Sequence, residues 1–103
     1  MTDTVTRRKI EVLVDAPLVP RIERLAAGAG VTGYTLLPAL GGAGHGGRWT
    51  DDQVTGAETK VLFMAVMSAE KAASLIDALA PILESHRLLL ISSVVEVVRP
   101  GKF

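Results

Sequence analysis

Residues 60–67, Lys-Val-Leu-Phe-Met-Ala-Val-Met, form the most demanding stretch of the chain. Leu62, Met64 and Val66 alternate with Val61, Phe63, Ala65 and Met67. Successive side chains of a strand point to opposite faces, so this one is apolar above and below and needs cover on both sides. The chain has 103 residues, 49% of them hydrophobic. A chain of that size buries only about 60–70% of its unfolded surface when it folds alone. One layer of cover can come from the chain itself. The second points to another molecule.

The flanking sequence supplies the first layer. In residues 8–15, Arg8, Ile10, Val12 and Val14 alternate with Lys9, Glu11 and Leu13, the pattern of a strand. Pro17 and Pro20 suit a helix's first turn, where amide donors are unpaired anyway. Leu18, Ile22, Leu25 and Ala29 recur at helical spacing, with Gly28 and Gly30 as a stop, so a helix is expected over 17–27. Residues 34–40 read as a second strand, with Pro38 implying an edge or a bulge. Residues 41–56 read as one long irregular loop, rich in glycine. Ser68 is a candidate N-cap for a helix starting near Ala69. Its expected buried stripe is Ala72, Leu75, Ile76, Leu79 and Leu83, and Pro81 is expected to kink it or end it early. Residues 88–98 read as the last strand, between a frayed start at 1–6 and a short tail from Arg99 to Phe103.

Strand, helix, strand, strand, helix, strand with right-handed crossovers gives an α+β class. It is the ferredoxin-like βαββαβ arrangement: a four-stranded antiparallel sheet with two helices on one face. The other sheet face would remain a large apolar patch in water, which predicts a homo-oligomer that buries it.

Other features narrow the function. Eleven Lys and Arg balance eleven Asp and Glu, which argues against a nucleic-acid backbone binder. Without cysteine there is no disulfide framework, no Cys-ligated zinc and no thiol nucleophile. The polar residues 1–8 lack a signal-peptide core and the apolar runs are too short to span a bilayer, so a cytoplasmic single domain over 1–103 is expected.

The segment from Gly42 to Gly47 formally matches G-x-G-x-x-G, but it opens no helix and lies in no βαβ unit, so the dinucleotide reading fails. What survives is a glycine-rich backbone that an anion can approach closely. His45 and His86 are the only histidines, and the Asp51-Asp52 pair has no evident partner, so no metal site is expected. No nucleophile is set in a catalytic context, so no enzyme is expected. Arg48 in the loop, Lys60 where the chain leaves it and Arg99 past the last strand are three cations suited to a phosphate.

The run Thr-Gly-Tyr-Thr-Leu-Leu-Pro-Ala-Leu-Gly-Gly-Ala-Gly over 32–44, with Gly-Arg-Trp at 47–49, resembles the PII signalling superfamily. It is most similar to the PII-like branch of carboxysome-associated and bicarbonate-transporter-associated proteins. The ending Glu-Val-Val-Arg-Pro-Gly-Lys-Phe at 96–103 also fits. The resemblance implies a compact homotrimer with an adenine nucleotide (ADP or AMP, sometimes cyclic AMP) in each cleft between subunits. It implies no cofactor, and a T-loop, here 41–57, that engages a protein target in inorganic-carbon metabolism. By position it makes Thr35 the adenine-side threonine, Gly41 and Gly42 the T-loop base glycines that face phosphate, and Lys60 and Arg99 family cations. Bicarbonate, if coupled, would lie near Gly47, Trp49 and Lys60.

Three departures qualify it. Val97 stands where the family has a second arginine. The Gly-Asp-Gly-Lys segment that cradles phosphates is replaced by Glu-Ser-His-Arg at 84–87, leaving His86 or Arg87 as the substitute cation. The T-loop is short and lacks the uridylylated tyrosine. Fewer phosphates are the implied consequence. The alternative is a metal-responsive or structural ferredoxin-like trimer of the CutA type.

Overall fold

The computed structural model describes residues 3–44, 47–50 and 59–98. Strand β1 (Val5–Asp15) leads through a 3-10 turn, Ala16–Leu18, into helix α1 (Val19–Gly28). Strand β2 (Thr35–Ala39) is followed by two short strands, β3 (Gly41–Gly44) and β4 (Gly47–Thr50). Strand β5 (Lys60–Met67), helix α2 (Ala69–Ser85) and strand β6 (Leu89–Val97) complete the fold. The main sheet has the order β2-β5-β1-β6 with every pair antiparallel. The expected ferredoxin-like arrangement is therefore present, and Pro38 lies on an edge strand as its missing amide requires.

Cross-strand partners share a face, so register sorts the sheet's two sides. Ile10, Val12 and Val14 of β1 and Phe63, Ala65 and Met67 of β5 are buried with Ile22 and Ala26 of α1 and Ala72, Leu75, Leu79 and Ile82 of α2. On the other side Leu37, Leu62, Leu13 and Leu89 are successive partners, a row of four leucines crossing all four strands. Neither α1 nor α2 covers this row, whose leucines are absent from the core cluster. Leu37 and Leu89 are 41% and 59% exposed, so the patch foreseen from β5 is real in the isolated chain.

Helix ends follow local chemistry. Ser68 caps α2, its hydroxyl accepting from the Lys71 amide at 3.2 Å. Gly30 (φ +84°) ends α1 in the left-handed conformation, while the Gly30 and Val31 amides donate to the Ala27 and Ala26 carbonyls.

Several expectations need correction. The Pro17 region is a 3-10 turn, and α1 proper begins at Val19. Pro81 does not end α2, which runs on to Ser85. The ring is exposed and removes only one intrahelical donor. Ile82 rather than Leu83 is the last fully buried residue of the stripe, and Ile76 and Leu83 are half-buried. The supposed irregular loop contains a β-hairpin. Its glycines carry no side-chain periodicity to read, yet Gly42 opposes Trp49 and Ala43 opposes Arg48 in regular register.

Candidate functional site

Beside the leucine row, at the end of the sheet where β1 stops and β5 starts, lies a cleft of about 800 Å³. Small-molecule sites typically measure about 300–1,000 Å³. The β3–β4 hairpin forms one wall through Gly42, Gly47, Arg48 and Trp49. Asp15 and Lys60, and His86 and Arg87 after α2, line it with the hairpin.

The wall is built around Trp49. A Cβ added to Gly42 would lie 2.8 Å from the indole, closer than real carbons approach, so only glycine lets the ring lie flat across β3. Lys60 Nζ then sits 5.4 Å from the Trp49 ring centroid, within cation–π range. It also donates to Asp15 Oδ1 at 2.8 Å, because Asp15 and Lys60 are register partners on neighbouring strands. We predict that Gly42→Ala displaces the indole, shifting the emission of the chain's single tryptophan to the red and weakening ligand binding in the cleft. An unchanged spectrum would contradict the packing.

Arg87 holds φ +52° at the end of α2, the only non-glycine residue with positive φ among those described. The Leu88 amide donates to the Leu83 carbonyl at 3.0 Å across it, so Arg87 occupies the slot that glycine usually fills. A left-handed non-glycine residue costs roughly 1 kcal/mol. Arg87→Gly should therefore raise the unfolding free energy by up to about 1 kcal/mol while lowering affinity for anions. Denaturant melts and anion titrations should move in opposite directions, and a variant that gains neither stability nor loses affinity would refute this.

Of the residues singled out by sequence, Gly42, Gly47, Arg48, Trp49, Lys60, His86 and Arg87 meet in this cleft. Gly41 opens β3 beside it. Thr35 does not line the cleft. It pairs with Met64, four residues along β5 from Lys60, roughly 13 Å away at strand spacing. Arg99, His45, the Asp51-Asp52 pair and residues 51–58 of the loop lie outside the described residues. Asp15 was missed because its position opposite Lys60 depends on which strands pair, and that is set by topology. Among the described residues no group of three metal-ligating side chains is found, and no helix is long and apolar enough to cross a membrane.

One further contact borders β2. Tyr34 stacks on Phe63 with ring centroids 5.0 Å apart, and its hydroxyl donates to Glu23 of α1. That hydrogen bond, then desolvation and the nearby carboxylate charge, raise the phenol's pKa above 10.0. The neutral phenol is the donor, so the bond persists below the ordinary phenol value and is lost as pH rises through the higher folded one. Tyr34 is the chain's only tyrosine. Its phenolate absorbance should titrate above 10, and Glu23→Gln should lower the midpoint. A midpoint unmoved by that substitution would contradict the assignment.

The sequence matches the family described as nitrogen regulatory protein P-II over residues 7–102. No curated protein matches it. Among solved structures it is similar to CPII, a nitrogen regulatory PII-like protein from Thiomonas intermedia K12 bound to ADP, AMP and bicarbonate. The TM-score is 0.90 and the identity 23%, covering 100% of this chain and 98% of that one. It is similar also to a putative PII-like signalling protein from Thermus thermophilus, with TM-score 0.81 and 24% identity over 98% of each chain. GlnK of B. subtilis in complex with ATP is more distant, with TM-score 0.62 and 11% identity over 87% of this chain and 82% of that one. With nearly the whole sequence matched, and with the same fold in these structures, the chain belongs to the nitrogen regulatory protein P-II family.

Proposed function

We propose that the protein is a trimeric sensor of adenine nucleotides, ADP or AMP, with bicarbonate as a second ligand. It controls a protein target of inorganic-carbon metabolism in the cytoplasm through a T-loop over 41–57. The observation that carries this reading is the cleft itself: Arg48, Lys60 and Arg87 converge on a wall of glycine backbone. Cations and close-approaching amides are what a phosphate needs. Arg99 would join from the tail after β6. Thr35 lies about a nucleotide's length from Lys60 along the β2 edge, which suits an adenine laid against that strand. CPII, the PII-like neighbour, binds ADP, AMP and bicarbonate.

The leucine row supports the trimer. It adjoins the cleft, through Leu13 and Leu89, so a copy seated on that row also closes the cleft. Bicarbonate fits the same reading near Gly47, Trp49 and Lys60, where it would meet the hairpin backbone and the Lys60 ammonium. Nucleotide bound at the hairpin would act on the target through the T-loop.

Calorimetry with AMP, ADP, ATP and cyclic AMP, with and without bicarbonate, tests it. The reading predicts binding of ADP and AMP with one site per chain, and an ADP affinity that changes when bicarbonate is added. Absence of heat with every nucleotide at millimolar concentration would reject it.

A further inference from the structure

We infer that Asp15 is a specificity-determining residue that limits how much negative charge the cleft accepts, favouring ligands with few phosphates. The inference rests on the reading of the cleft as a nucleotide site. It adds a residue and a selection rule to that reading.

Among the described residues Asp15 supplies the one carboxylate of the lining, against Arg48, Lys60 and Arg87. It is not a passing contact. Its carboxylate accepts from Lys60 Nζ at 2.8 Å, and the indole of Trp49 lies 5.4 Å from the same ammonium. Lys60 is thus held between an anion and a ring. Asp15 is also pinned. It is the last residue of β1 and the register partner of Lys60. The next amide, of Ala16, donates to the Thr59 carbonyl at 2.8 Å, and Pro17 follows. An anion that engages Lys60 must therefore do so with the Asp15 carboxylate beside it.

The first negative charge of a ligand replaces or shares the Asp15 contact. Each further charge meets the same carboxylate with one lysine already satisfied. Both side chains are partly exposed, 44% for Asp15 and 28% for Lys60, so water screens the repulsion. Two unit charges about 6 Å apart in a water-like dielectric change an equilibrium roughly threefold. Across a series from mono- to triphosphate those factors multiply, enough to decide which nucleotide occupies the site.

The test compares the protein with Asp15→Asn and Asp15→Glu at constant ionic strength. Trp49 emission and calorimetry report binding of adenosine, AMP, ADP and ATP, and of inorganic phosphate, pyrophosphate and tripolyphosphate. Asp15→Asn should gain affinity in proportion to ligand charge, roughly threefold per added charge, with adenosine unchanged. Asp15→Glu should keep the original grading, and Asp15→Ser should reproduce the Asn result. A purely structural ion pair would alter every ligand alike. A uniform change, no change, or no phosphate compound binding to Asp15→Asn would overturn the inference. Graded polyphosphate binding without any nucleotide binding would reject the nucleotide reading and leave Asp15's role standing. Nucleotide binding with the same selectivity in both proteins would do the reverse.

Discussion

Phe63→Ala lowers the unfolding free energy by about 3–5 kcal/mol, the usual cost of emptying a fully buried aromatic site. Phe63 is 0% exposed and, among the described residues, is the largest of the fully buried side chains. It sits on the central strand β5, opposite Val12 of β1 and Leu36 of β2, and stacks against Tyr34. Its removal therefore opens a cavity between strands as well as beneath the helices, and the backbone pairing on both sides resists collapse into it. For a domain of about 100 residues the melting temperature should fall by more than about 12 °C. Phe63→Leu, which keeps most of the volume, should cost less than about 1.5 kcal/mol. Thermal and denaturant melts at one fixed protein concentration make the comparison, because association would make stability concentration-dependent. Equal, small losses for both variants would mean that β5 is not the centre of the core.

The second large effect concerns the uncovered face. Leu89→Asp places a charge at the end of the leucine row, on the edge strand β6, where the side chain is 59% exposed in the isolated chain. The single chain tolerates it, since the carboxylate remains in water. A copy of the chain packed on that row would have to desolvate it, at a cost of several kcal/mol. The unsubstituted protein should therefore sediment at three times the 10.9 kDa chain mass, and Leu89→Asp at the mass of one chain with its circular dichroism intact. Nucleotide affinity should fall with it, since the cleft shares Leu89 with the row. A Leu89→Asp protein that keeps the larger mass and the affinity would show that the row is not the contact surface.

Much of this was legible in residue order. The double-sided apolar pattern of residues 60–67 identified a strand apolar on both faces, and β5 has the helices on one face and the leucine row on the other. Its place between β2 and β1 came from the structure. Pro38 announced an edge or a bulge, of which the structure shows the edge, and Ser68 announced the start of α2. What stayed hidden had physical reasons. Gly41, Gly42 and Gly44 have no side chains to alternate, so the β3–β4 hairpin left no periodic trace. It becomes visible only through the indole of Trp49 lying over Gly42. Arg87 was noticed as a stand-in cation in a connection without glycine. Its left-handed backbone, which commits it to the end of α2, is a property of the helix terminus rather than of the residue. Asp15 sat at the end of a readable strand, but its pairing with Lys60 exists only once β1 and β5 are neighbours in this register. Three cations were expected around the phosphate site. Arg48 and Lys60 line the cleft, Arg87 lines it with them, and Arg99 belongs to the tail outside the described residues.

In the proposed sensor, copies of this chain associate through the open sheet face and hold adenine nucleotide between them. Native mass spectrometry with ADP measures both parts at once. A species of three chains carrying up to three ADP molecules is expected, reduced to a single nucleotide-free chain by Leu89→Asp. A single chain as the dominant unsubstituted species, or a three-chain species that retains no ADP, would contradict it.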